Sequence, residues 1–98
     1  MPDQKSLDAV LARIDADIDG SLERLFALLR IKSISTDPAF AGECKAAAEH
    51  LQKDLASLGF ASDVRPTGGH PAVVGKSNGS GPRVLFYGHY DVQPVDPL

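Results

Sequence analysis

Apolar residues recur with helical spacing through the first third of the chain. The stripe comprises Leu7, Val10, Leu11, Ile14 and Ile18, followed by Leu22, Leu25, Phe26 and Leu29. Apolar positions at i, i+3, i+4 and i+7 are typical of an amphipathic helix. Gly20 interrupts the stripe, so the pattern predicts either one kinked helix or two helices in succession.

A second apolar stripe predicts a helix between Cys44 and Leu58. Asp37 and Pro38 mark a turn before it, and Gly59 suits the position that follows a helix end. Cys44 falls on the apolar side of this helix. The sequence therefore predicts a buried, unreactive thiol.

Short apolar runs in the second half of the chain predict strands at residues 60–64, 72–74 and 84–87. The run at 84–87 is β-branched and aromatic, which predicts a strand buried on both faces, as in a parallel sheet covered by helices. Helices followed by strands predict an α/β fold with an incomplete sheet. A chain of 98 residues has room for one domain at most.

Composition excludes several classes of protein. The formal net charge is -3, and this lack of basic excess argues against binding to nucleic acid or anionic membranes. A single cysteine rules out an intrachain disulfide. The chain shows neither a signal-peptide pattern nor an apolar run of membrane-spanning length, which predicts a cytoplasmic protein.

A histidine and an aspartate follow the predicted strand at 84–87. Side chains at i and i+2 of a strand point to the same side, so His89 and Asp91 are expected to project together. A metal-bound imidazole usually donates its other N–H to a carboxylate or carbonyl, and Asp91 is placed to accept it. On spacing alone, His-x-Asp is a weak pattern, and a strand-end histidine beside an ordinary loop aspartate is favoured.

The longer string around this pair changes that balance. Residues 88–95 read GHYDVQPV. With the apolar run before it, this string resembles the signature of the dinuclear-zinc exopeptidases, the family of aminoacylase, acetylornithine deacetylase, carboxypeptidase G and carnosinase. Tyr90 and Gln93 look most like the carnosinase-like dipeptidase branch. Residues 28–35, 46–60 and 71–75 also resemble family segments in the same order, although Lys32 stands where proline is common.

The resemblance implies a site and an activity. His89 would bind one of two zinc ions, and Asp91 would be the catalytic-site carboxylate that orients it. The family's bridging aspartate, catalytic glutamate and remaining ligands follow this motif, so they are expected beyond Leu98. The parent would be a zinc metallopeptidase, a hydrolase of the dipeptidase or carboxypeptidase type, acting on dipeptides or short peptides. Residues 1–98 would be the N-terminal part of its catalytic domain, inactive alone and at most a weak zinc binder.

Two alternatives remain open. The alternative to a peptidase fragment is a non-catalytic interaction or structural module from a truncated gene. The resemblance gives no ligand role to His50, expected to face solvent on a helix, or to His70, in a glycine turn. In either case, uncovered sheet edges and apolar helix stripes predict self-association by strand pairing or helix packing.

Overall fold

A computed structural model describes residues 3–96, which form helices and a small sheet. The elements are α1 (Gln4–Ala16), α2 (Ile18–Leu29), a 3-10 turn (Pro38–Phe40), α3 (Ala41–Ser57), β1 (Ala61–Arg65) and β2 (Ala72–Lys76). This mixture agrees with the predicted α/β class. The chain divides into two compact units, one ending at Arg30 and one beginning at Ile31.

The first unit consists of two successive helices. The Asp3 carboxylate caps α1 by accepting the backbone N–H of Ser6 at 2.8 Å. The break between α1 and α2 falls at Asp17 (φ -101°, ψ 7°) and not at Gly20, which lies inside α2. Aspartate offers the backbone competing hydrogen bonds and is a poor residue for a helix interior. Arg13 forms an ion pair with the Asp17 carboxylate at this break.

Neither helix of the first unit buries a residue. The nine large apolar side chains of the predicted stripe are each 41–56% exposed. Helical spacing was therefore predicted well, but it gave no information about what covers the stripe. Within residues 3–96, no helix is long and apolar enough to cross a membrane.

The second unit packs α3 against a β-hairpin. Strands β1 and β2 pair antiparallel, with Ala61 opposite Lys76 and Arg65 opposite Ala72. The core residues of the unit are Cys44, Ala47 and Ala48 on α3, each 0% exposed. The buried thiol predicted at Cys44 is confirmed. These side chains are small, so the helix can approach the strands closely. For the same reason the core has a small volume.

The end of α3 shows the predicted glycine stop. Gly59 has φ +93°, a conformation that residues with a Cβ rarely adopt. The N–H groups of Gly59 and Phe60 donate to the carbonyls of Ala56 and Leu55 at 3.0 and 3.1 Å. This pair of bonds is a Schellman motif, which satisfies carbonyls left open at the helix end and turns the chain into β1.

The strand predicted at residues 84–87 is not formed in this chain. The segment joins no sheet, and its four side chains are 83–93% exposed. Apolar and β-branched composition forms a buried strand only where neighbouring strands and helices cover it. In the described part of the chain, the hairpin pairs with itself, and the remaining β contact is a single parallel bridge between Ile34 and Val92.

Candidate functional site

The segment that carries the histidine and aspartate is fastened to the chain after α2. The backbone N–H of Val92 donates to the carbonyl of Ser33 at 2.9 Å. The Ser33 hydroxyl donates in return to the carbonyl of Tyr90 at 2.9 Å. Ser33 is buried, and its carbonyl and its hydroxyl both take part in this junction. The junction holds residues 90–92 beside residues 33–35 without an extended sheet.

His89 and Asp91 contact each other directly, as the sequence predicted for their side chains. His89 Nδ1 lies 2.7 Å from Asp91 Oδ1. An ionised carboxylate only accepts hydrogen bonds, so Nδ1 carries the proton. In the neutral imidazole, Nε2 therefore keeps its lone pair. The His89 side chain is 74% exposed, which leaves Nε2 accessible to a ligand.

The other oxygen of Asp91 has a partner of its own. The Ser35 hydroxyl donates to Asp91 Oδ2 at 2.6 Å. The bond from Ser35, followed by the one from His89, lowers the pKa of Asp91 below its usual range. Asp91 is thus held ionised with each oxygen accepting one hydrogen bond. This arrangement suits a carboxylate that orients His89 better than one that binds a metal itself.

The hairpin turn supports this pair from a second direction. His70 Nε2 lies 2.8 Å from the Ser35 carbonyl, which only accepts, so Nε2 of His70 carries a proton. The Tyr90 hydroxyl donates to the Pro71 carbonyl at 2.6 Å. Burial, then the charges of Cys44 and Asp91, raise the pKa of Tyr90. His70 and Pro71, which are adjacent in the hairpin turn, therefore hold both segments that meet at Asp91. His70 bonds to the segment of Ser35, and Pro71 bonds to Tyr90.

Cys44 lies beneath the junction and is not a reactive group. Burial raises the pKa of its thiol, and the negative charges of Asp91 and Glu43 raise it further. A thiol with a raised pKa and no exposed surface is a poor nucleophile at neutral pH.

A cleft of about 370 Å³ opens on the hairpin side of the second unit. Its walls include Ala41, Lys45, Val64, Pro66, Thr67, Gly69, His70 and Pro71. His70 contributes to this cleft while its Nε2 bonds to Ser35, so one side chain links the cleft to the Asp91 network. Lys45 gives the cleft an ammonium group and Thr67 gives it a hydroxyl, and apolar residues line the walls beside them.

The donor groups fit part of a zinc site. His89 has an imidazole whose Nδ1 faces the Asp91 carboxylate, and a carboxylate often accepts the second N–H of a metal-bound histidine. Catalytic zinc sites typically use about three protein ligands. Within residues 3–96, no group of three or more histidine, cysteine, aspartate or glutamate side chains lies close enough together to hold a metal ion. His50 and His70 do not join His89 in such a group.

Comparison with protein-family models, curated proteins and solved structures found no match to this chain. Membership of the zinc exopeptidase family therefore stays a prediction from residues 88–95 and the segments before them.

Two residues of this network were not predicted, namely Ser35, which bonds to Asp91, and His70, which bonds to the Ser35 carbonyl. The sequence did contain a signal for Ser35. Ser33 and Ser35 lie two positions apart, so in an extended segment their side chains point to the same side. No local pattern signals His70, whose partner is 35 positions away in the chain.

Proposed function

We propose that this chain supplies one zinc ligand, His89, to the active site of a metallopeptidase that cleaves dipeptides or short peptides. The observation that supports it most is the contact between His89 Nδ1 and Asp91 Oδ1, which leaves Nε2 free. The substrate class comes from the resemblance of residues 88–95 to the dipeptidase branch. The remaining ligands and the general base belong to the rest of the catalytic domain.

The residues of this chain have defined tasks in the proposal. Asp91 keeps the His89 imidazole in the tautomer with a lone pair on Nε2, and its negative charge makes that nitrogen more basic. Ser35 keeps Asp91 ionised and fixed in position through Oδ2. Bound zinc would polarise the peptide carbonyl and lower the pKa of the attacking water.

The first test uses the 98-residue chain itself. We expect no useful hydrolysis of dipeptides, because this chain contributes only one of the zinc ligands and the general base is expected in the rest of the catalytic domain. We expect weak zinc binding that depends on His89, so His89→Ala should abolish it while His50→Ala leaves it unchanged. Turnover that requires zinc and stops with a chelator, or tight stoichiometric zinc, would contradict the assignment.

The second test uses the longer protein that the resemblance implies. Asp91→Ala should lower peptidase activity by about 10–100-fold while some zinc stays bound, since outer-shell changes have effects of this size. Asp54→Ala removes an exposed carboxylate on α3 and serves as the matched control. Unchanged activity in Asp91→Ala would refute the role of Asp91. The coding sequence after Leu98 provides a further check, because several hundred residues with acidic ligands would support an enzyme.

A non-catalytic interaction module is the second candidate function. The observation that favours it is the exposure of the apolar stripe on α1 and α2 and of residues 84–87. Large exposed apolar surfaces mark interaction sites in proteins generally. A natural stop codon directly after Leu98 would favour this candidate over the peptidase.

A further inference from the structure

The loop that follows β2 contains the only asparagine of this chain. Asn78 is followed directly by Gly79, and the loop continues to Arg83. Asparagine is a thermolabile residue, because the backbone nitrogen of the next residue can displace the nitrogen of its side-chain amide. Glycine in that next position leaves the attacking nitrogen unhindered, since glycine has no Cβ. The pair therefore combines the group that reacts with the neighbour that hinders the reaction least.

The structure leaves this pair open to such a reaction. Residues 77–83 are all exposed, and residues 77–79 belong to no helix, strand or turn. Among the described residues, no backbone carbonyl accepts the N–H of Gly79. A Cβ placed on Gly79 would find its nearest neighbour, the Ser77 hydroxyl oxygen, 4.0 Å away. The described part of the fold therefore neither holds the Gly79 nitrogen nor blocks its approach to the Asn78 side chain.

The other side-chain amides of the chain have different surroundings. Gln4 and Gln52 donate hydrogen bonds through their amide nitrogens, at 2.8 and 3.1 Å. Gln93 precedes Pro94, which has no backbone N–H that could attack. A glutamine must also close a six-membered ring, which forms more slowly than the five-membered ring of an asparagine. Among residues 3–96, Asn78 is therefore the side-chain amide that is best placed to react.

We propose that Asn78 is a site of spontaneous deamidation. The Gly79 nitrogen attacks Cγ of Asn78, the bond from Cγ to Nδ2 breaks, and ammonia leaves with the proton that the Gly79 nitrogen gives up. The product of this step is a five-membered succinimide. Water then opens either of its two carbonyls, which gives aspartate or isoaspartate at position 78. The reaction needs only water, so the proposal is independent of the proposed metal chemistry.

Either product changes the loop that leads from β2 towards His89. Residues 77–82 carry no charge, and the new carboxylate adds one negative charge to the formal net charge of -3. Isoaspartate also routes the main chain through the side-chain carbon, so the backbone between Ser77 and Gly79 becomes one carbon longer. Deamidation is thus an age-dependent change in the charge and the length of this connection.

The test incubates the purified 98-residue chain at neutral and at mildly alkaline pH and follows one peptide by mass spectrometry. Trypsin releases residues 77–83 as that peptide, because it cleaves after Lys76 and Arg83. We expect a gain of about 1 Da, the change from amide to acid, and a split into aspartate and isoaspartate forms. The rate should rise with pH, because the Gly79 nitrogen attacks only after it loses its proton. A sample digested at time zero measures the deamidation caused by digestion itself. An unchanged mass after weeks would overturn the proposal.

Variants of the two loop glycines test the attacking group. Gly79→Pro removes the attacking N–H and leaves Asn78 in place, so it should abolish the mass gain. Gly79→Ala keeps the N–H, adds a Cβ and should slow the gain. Gly81→Ala is the matched control and should leave the rate unchanged, because a Cβ at Gly81 meets nothing within 4 Å. An undiminished rate in Gly79→Pro would show direct hydrolysis of the amide and would overturn the succinimide route.

A synthetic peptide of residues 74–85 then tests the contribution of the fold. The folded chain should deamidate at the rate of this peptide within about a factor of two, because exposed loops open at almost no cost in free energy. A rate many times slower in the folded chain, restored in urea, would show that the fold holds the Gly79 nitrogen. That result would overturn the proposal that the loop leaves Asn78 open to attack.

Discussion

Replacement of Tyr90 by phenylalanine tests how the hairpin turn holds the candidate site. The change deletes only the hydroxyl that donates to the Pro71 carbonyl at 2.6 Å and leaves the ring in place. A typical hydrogen bond within a protein contributes about 0.5–1.5 kcal/mol to the free energy of unfolding. For a domain of this size, a loss of 1 kcal/mol lowers the melting temperature by about 4–8 °C.

A second signature of the same substitution is its dependence on pH. The pKa of Tyr90 is raised in the folded chain, mainly by burial, so the folded state holds the phenolic proton more tightly than the unfolded state. Where the folded state binds more protons, the free energy of unfolding falls as pH rises. The native protein should therefore lose stability above pH about 10, the ordinary pKa of tyrosine. Tyr90→Phe should remove that part of the loss.

The assay is thermal and urea denaturation of the 98-residue chain at pH 7 and above pH 10, with the unfolding of the second unit as the transition that is followed. Tyr87→Phe is the matched control, because Tyr87 is 83% exposed. Equal melting temperatures for Tyr90→Phe and Tyr87→Phe at pH 7 would refute the clamp between Tyr90 and Pro71. An unchanged alkaline loss of stability in Tyr90→Phe would refute the assignment of that loss to Tyr90.

Other residues of the second unit give further predictions. Gly59→Ala should lower the free energy of unfolding by about 1–2 kcal/mol, because alanine is strained at φ +93°. Gly42→Ala within α3, where a Cβ would meet nothing within 4 Å, should raise it by about 0.5–1 kcal/mol. Cys44 should react with a thiol reagent far more slowly in the folded chain than in urea at pH 8, and equal rates would contradict its burial and raised pKa. Ser35→Ala should raise the pKa of Asp91, measurable by carboxyl NMR, and an unshifted titration would show that the hydroxyl does not stabilise the ionised form.

Local patterns predicted the local elements of this chain. The apolar stripe between Cys44 and Leu58 and the glycine after it correctly predicted α3 and its end, because a helix depends on interactions between residues three and four apart. The helix break was placed at Gly20 instead of Asp17. Gly20 is tolerated inside α2, whereas the helix breaks at Asp17, a residue type that is less favourable than most inside a helix.

Long-range partners were not predictable in the same way. The apolar run at residues 84–87 resembles a buried strand, but burial depends on elements distant in sequence, and the hairpin does not provide them. The contact between His89 and Asp91 was predicted because the two residues lie only two positions apart in the chain. Ser35 and His70 reach the same site from 56 and 35 positions away from their partners, and only the fold brings them there.

The most direct test of the account is nitrogen-15 NMR of the His89 ring during a zinc titration. Without zinc, at a pH where the imidazole is neutral, Nδ1 should carry the proton and Nε2 the lone pair. Added zinc should then shift Nε2 of His89 before it affects His50 or His70, and Asp91→Ala should mix the two tautomers and weaken the zinc-induced shift. A proton on Nε2 in the zinc-free protein, or zinc that affects His50 first, would contradict the assignment of His89 as a metal ligand oriented by Asp91.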